Sequence, residues 1–174
     1  MVQTAITNDK FAPRNQTLNF NKIILIKVPD KNIKMSTSLQ RFTEAHAKSY
    51  QTALAEIQSG KKQSHWMWYI FPQLENLGTS ETAKFYGIKD STEAAAFLAD
   101  KELGKNLIEI STALLQLEPN DPHAILGSPD DMKLKSCMTL FASIQNSNPV
   151  FEKVLQKFYN GQKDEKTLSF LQAK

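Results

Sequence analysis

From residue 38 to the C-terminus the sequence predicts an all-α fold, a compact single-domain bundle of six or seven helices behind a poorly ordered N-terminal extension. Three observations carry that expectation. Apolar residues recur at spacings of three and four, which places them on one face of a helix. Ser, Asp and Asn stand before these runs and Gly or Pro after them, in the positions of caps and stops. Hairpin signals and strand–helix–strand alternation are missing from 38–174. The exception is Trp66–Phe71, where a strand would put apolar residues on both faces.

Residues 1–34 read as an extension of different composition, Asn-rich and without a helical apolar period. Within it KIILIKV (22–28) fits a short strand or an extended arm, and Met35 fits an alternative start of the chain. The folded domain is expected over 35–174. Its first helix runs from Ser38, as N-cap, to Gly60 as C′ residue, with Leu39, Phe42, His46, Tyr50, Ala53, Leu54 and Ile57 near one face. Ser80–Tyr86 is a short helix stopped by Gly87. Asp90-Ser91-Thr92-Glu93 has the spacing of a capping box ahead of Ala94–Ala99. Asp100 caps a helix whose stripe is Leu103, Leu107, Ile110, Leu114 and Leu117, and Pro119 and Pro122 end that segment. Ser128-Pro129-Asp130-Asp131 reads as a cap, a first-turn proline and two carboxylates at the positive end of the dipole. Leu134, Cys137, Met138, Phe141 and Ile144 form the stripe of that helix. Asn148-Pro149 repeats the device before Val150, Phe151, Val154, Leu155 and Phe158, with a stop near Gly161. Asp164 caps a last short helix holding Leu168 and Leu171.

Bulk properties narrow the function. The net charge is +3, but residues 1–34 hold six basic and two acidic groups, a balance of +4. Of the 21 basic and 18 acidic residues, 15 and 16 remain for the domain, a balance of −1. A domain that neutralises a row of phosphates carries its excess on the folded surface, so nucleic-acid binding by the domain is disfavoured. No apolar run reaches the ~20 residues that span a bilayer. The lone cysteine, Cys137, allows no internal disulfide and points to a reducing compartment; with no secretory signal pattern, a cytoplasmic protein is expected.

Two segments in this order, KKQSHWMWYIFPQL (61–74) and GSPDDMKLKSCMTLFASI (127–144), resemble the family called domain of unknown function 1810. LQRFTEAHAKSYQTALAEIQSG (39–60) is similar to its opening helix and NPVFEKVLQKFYNGQKDEKTLSFL (148–171) to its end, so the resemblance covers roughly 36–172. It implies a soluble, mainly helical bacterial or fungal protein and brings no established activity. Some members have borne the label calpastatin; that inhibitor is disordered, whereas this chain has periodic helices. Cys137 stands where a serine is usual in the family, which counts against it as a nucleophile.

The chemistry-bearing candidates sit in the same two segments. Both tryptophans, Trp66 and Trp68, lie in 61–73, either as core or as the wall of a pocket in which a ring stacks on a flat ligand. At spacing i, i+2 they share a face on a strand and diverge on a helix. His65 is the candidate proton-transfer group, with Asp130 or Asp131 brought to it by the fold; the alternative is a buried imidazole bonded to a backbone carbonyl. Asp130 and Asp131 are otherwise first-turn carboxylates that stabilise their helix. Lys62 and Lys133 would supply positive charge, Ser64, Ser136 and Thr139 hydroxyls, and Gln73 an amide, although solvated lysines are the ordinary reading. No metal is expected: His46, His65 and His123 are scattered and one cysteine makes no zinc site. No cofactor is implied, since the Walker, dinucleotide and nucleophile-elbow motifs are absent.

The leading expectation is therefore one pocket walled by Ser64–Gln73 and the start of the Ser128 helix, taking a small anionic ligand with a flat portion, nucleotide-like or ADP-ribose-like. Any chemistry there would be hydrolysis or group transfer, and whether the protein is an enzyme is not decided by its residues. Two other classes compete: a protein-interaction module without a small ligand, and a nucleic-acid-associated protein acting through its basic leader. Oligomeric state is not readable.

Overall fold

A computed structural model describes residues 31–173, with side chains from Leu39 onward. The 22–28 segment and the rest of the expected extension up to residue 30 lie outside the described residues. Among the described residues there are nine α-helices and no strand: α1 (Lys31–Gln58), α2 (Met67–Ile70), α3 (Glu81–Phe85), α4 (Ser91–Ala99), α5 (Leu103–Gln116), α6 (Pro122–Leu126), α7 (Asp130–Ala142), α8 (Val150–Tyr159) and α9 (Glu165–Gln172). Six of these have eight residues or more, and the other three are segments of four or five. The all-α expectation stands.

Local chemistry sets most of the boundaries. Ser80 Oγ accepts from Ala83 N at 3.1 Å, Asp90 Oδ1 from Glu93 N at 2.9 Å, and Asp100 Oδ1 from Leu103 N at 2.9 Å. Asp164 Oδ2 accepts from Thr167 N at 2.9 Å. Each satisfies an amide that the first helical turn leaves without a partner. The chain leaves α1 through Gly60 at φ +74°, with Lys61 N donating to Glu56 O at 3.1 Å.

Several starts differ from the expectation. α1 begins at Lys31, so Ser38 lies inside the helix and is not its cap. Pro129 occupies the N-cap position of α7, and no side chain caps that helix. Glu93 completes its box on Lys89 N at 2.8 Å, one residue before Asp90, and also meets Arg41 Nη2 at 3.0 Å. Pro122 does not merely end α5; capped by Asp121, it opens the unforeseen α6.

The core lies among α1, α4, α5, α7 and α8, whose most extensive contacts are α7–α8, α1–α5 and α5–α8. Phe42, Phe97, Phe141 and Phe151 form a run of rings, with successive centroids 5.1, 5.5 and 5.8 Å apart. Leu103, Leu107, Ile110 and Leu114 on α5 and Leu134, Cys137, Met138 and Phe141 on α7 are fully buried. Between α2 and α4 the chain makes a bracket: a 3₁₀ turn, Glu75–Leu77, lies against α3, and Leu74 and Ile88 pair as a single parallel bridge. Gly87 permits that approach, because a Cβ there would lie 2.3 Å from Glu75 Cα.

Candidate binding cleft

The loop entering the tryptophan segment is tied down by one carboxylate. Glu56, on the last turns of α1, accepts at Oε2 from Gln63 N (2.7 Å), Ser64 N (3.0 Å) and Trp66 Nε1 (2.8 Å). Its Oε1 accepts from the Ser64 hydroxyl. Burial alone would raise the acid, but these donors outweigh it and hold the carboxyl at about 2. Ser64 and Trp66 thus spend their polar atoms on Glu56.

The four-residue α2 then decides which tryptophan faces where. On a helix the i, i+2 pair diverges. Trp66 is buried and packs on Phe71 with centroids 6.2 Å apart, while Trp68 is half-buried and turned toward α7. The strand reading of Trp66–Phe71 does not hold.

Three charges join the two segments. Lys62 Nζ lies 2.8 Å from Asp130 Oδ2, and Lys133 Nζ lies 2.8 Å from Asp130 Oδ1. Lys133 Nζ also sits 4.2 Å from the centroid of the Trp68 ring, and Lys62 Nζ 5.2 Å from that of Trp66, both cation–π distances. Burial pushes the Asp130 carboxyl up, yet the hydrogen bonds and charges of Lys133 and Lys62 prevail and hold it below its ordinary range. Asp130 is therefore an ionised clamp with both oxygens engaged.

Beside the clamp lies a cleft of ≈ 400 Å³. Trp68 and Gln73 line one wall, and Pro129, Met132, Lys133 and Ser136 of the α7 region line the other. The bracket adds Thr79 and Ser80, and the start of α9 adds Asp164 and Lys166. Met132 and Lys166 are exposed at its rim, so the cleft is open to solvent.

Of the candidate site residues, Trp68, Gln73, Lys133 and Ser136 line this cleft. Lys62 and Asp130 stand behind it as the clamp, and Ser64 and Trp66 are held by Glu56. His65 is exposed, lines no part of the cleft and has no hydrogen bond to the described residues. Nor does it pair with an aspartate among the described residues: Asp130 pairs with lysines, and Asp131 lies 3.4 Å from His123 Nδ1. The buried imidazole considered for His65 is found at His46 instead. There Nε2 is 2.8 Å from Tyr69 O and Nδ1 3.2 Å from Asn106 Nδ2. A neutral ring with the proton on Nε2 fits both partners, and burial lowers its pKa. Cys137 is fully buried and burial pushes its thiol up, which excludes a reactive thiolate. Thr139 Oγ1 accepts from Asp164 N at 2.9 Å and so docks α9 onto α7.

Sequence reasoning did not place Glu56 or Lys166 at the site, and read Asp164 only as a helix cap. Glu56 had a visible signal: it falls three residues after Ala53 and next to Ile57, inside the buried stripe. A carboxylate there needs donors, and the loop after Gly60 supplies them. No comparable signal marks Lys166.

The fold and cleft define a class: a helical domain with a basic, tryptophan-walled hollow between a short helix and a long one. The family described as Protein of unknown function (DUF1810) matches residues 36–171, and the chain belongs to it. The structure is similar to the crystal structure of the conserved hypothetical protein Rv1873 from Mycobacterium tuberculosis. The two are 41% identical with a TM-score of 0.76, over 78% of this chain and 96% of that one. No curated protein matches the chain. No described helix is long and apolar enough to cross a membrane.

Proposed function

We propose that the protein binds a small anionic molecule bearing a flat group, nucleotide-like in its chemistry, in the cleft between α2 and α7. One observation carries this reading: Trp68 and Gln73 from one segment and Lys133 and Ser136 from the other line the same ≈ 400 Å³ hollow. That volume falls within the ~300–1,000 Å³ of ordinary ligand sites. Asp130 offsets one of the two ammonium charges of Lys62 and Lys133, leaving the trio at +1 (2 − 1). Pinned by Asp130, Lys133 is pre-organised, so an anion orders no flexible side chain on arrival. Trp68 supplies a ring surface, and Gln73, Thr79, Ser80 and Ser136 supply hydrogen-bonding groups.

Binding is favoured over turnover. His65 is outside the cleft, the Asp130 oxygens are occupied by lysines, and the Cys137 thiol is sealed in the core. None of the three is placed to move a proton to or from a molecule beside Trp68.

A thermal-shift screen of nucleotides and phosphorylated metabolites tests the reading in wild type, Trp68→Leu, Lys133→Gln and His65→Ala. A binder at about 100 times its Kd raises Tm by about 5–10 °C. The rise is expected to vanish in Trp68→Leu and Lys133→Gln and to persist in His65→Ala. A rise that survives both cleft substitutions, or no rise with any compound, overturns it.

A further inference from the structure

We infer that the ligand carries a chain of anionic groups, the distal ones seated in a second, lysine-rich depression ringed by Lys135, Lys163 and Lys166. The inference rests on the cleft reading above and extends it. The second depression, ≈ 660 Å³, is lined by those lysines together with Gln162, Asp164, Glu165 and a single apolar side chain, Leu168. Asp164 and Lys166 line both hollows, so the two meet at the start of α9.

The charges differ in kind between the two. In the cleft region Lys62 and Lys133 are held at 2.8 Å by Asp130. In the second depression, among the described residues, close ion pairs do not consume the ammonium groups. Lys163 reaches Glu152 only at 3.8 Å with its side chain 37% exposed, Lys135 Nζ stands 5.8 Å from the Tyr159 ring centroid, and Lys166 is exposed. Asp164 is the acid between them, and its Oδ2 is committed to Thr167 N at 2.9 Å and Thr167 Oγ1 at 2.6 Å. Three lysines against Asp164 and Glu165 leave +1 (3 − 2). No aromatic ring lines this hollow. A flat group beside Trp68 with a phosphate chain running past Lys166 matches that division of chemistry, whereas a compact monoanion leaves the second hollow unused.

Calorimetric titration with adenosine mono- and triphosphate, free of divalent cations, tests this. Wild type is expected to bind the triphosphate about tenfold more tightly. Lys135→Gln/Lys163→Gln, whose two positions line the second depression and not the cleft, should lose that advantage and keep its affinity for the monophosphate. Lys101→Gln, a lysine lining neither hollow, should retain the advantage. Equal affinities in wild type overturn the inference and leave the cleft reading intact. An advantage that survives the double substitution, or disappears equally in Lys101→Gln, is non-specific charge and also overturns it. Absence of binding by both nucleotides overturns the inference, while the cleft reading is decided by the wider thermal-shift screen.

Discussion

Glu56 shows how one buried carboxylate shapes a site it never enters. Its four hydrogen bonds fix the backbone at Gln63 and Ser64 and the indole of Trp66, and so set the point from which α2 departs toward the cleft. Glu56→Ala leaves those donors unsatisfied and should cost about 2–3 kcal/mol by urea unfolding. The pH dependence has a definite sign. The carboxyl sits at about 2 in the fold against 4.5 when unperturbed, so on acidification the unfolded chain takes up the proton first. Glu56 therefore contributes fully above pH 4.5, and its contribution drains away as the pH falls toward about 2. Stability curves over that range should be steeper for wild type than for Glu56→Gln. His46 acts one window higher: burial lowers its pKa from 6.5, so its contribution is complete above 6.5 and is lost as the pH falls below it. His46→Gln should flatten the stability profile as the pH falls below about 6.5, and an unchanged slope there would count against a neutral, buried imidazole.

At the level of elements, the clamp on α7 and the cap of α9 make separable predictions. Asp130→Asn leaves Lys62 and Lys133 without a charged partner; a loss of about 1–3 kcal/mol is expected, with Lys133 released from the Trp68 face. Asp164→Ala removes the acceptor of Thr167 N and Oγ1. It should cost about 1 kcal/mol and speed amide exchange selectively in α9. Helices with long apolar stripes were legible from sequence, because the stripes of α5, α7 and α8 are buried as their spacing requires. Of the three short helices, α3 was legible from its Ser80 cap and Gly87 stop, and the other two were not. α2 and α6 have four and five residues, too few for a period to show, and tertiary burial of Met67, Ile70, Ile125 and Leu126 holds them instead. Ser128 illustrates the opposite failure: a strong cap-and-proline signature where Pro129 itself takes the cap position.

Across the whole molecule, the ring-packed core of α1, α4, α5, α7 and α8 holds two distant segments together, and the cleft lies where the tryptophan segment meets α7. That juxtaposition was legible, since both segments concentrate polar chemistry beside apolar stripes. Which side chains would point into the hollow was not, because α2 sends Trp66 inward and Trp68 outward and leaves His65 in solvent. The walls added by Thr79, Ser80, Asp164 and Lys166 come from the bracket and α9, whose placement depends on contacts far apart in the chain. The two tryptophans allow a direct test of the binding reading, because each gives one indole N–H resonance in a nitrogen-15 NMR spectrum. Titration with adenosine monophosphate should move the Trp68 signal progressively and leave that of Trp66, bonded to Glu56, in place. A stationary Trp68 signal at saturating nucleotide, or a shift confined to Trp66, would contradict a ligand site between α2 and α7.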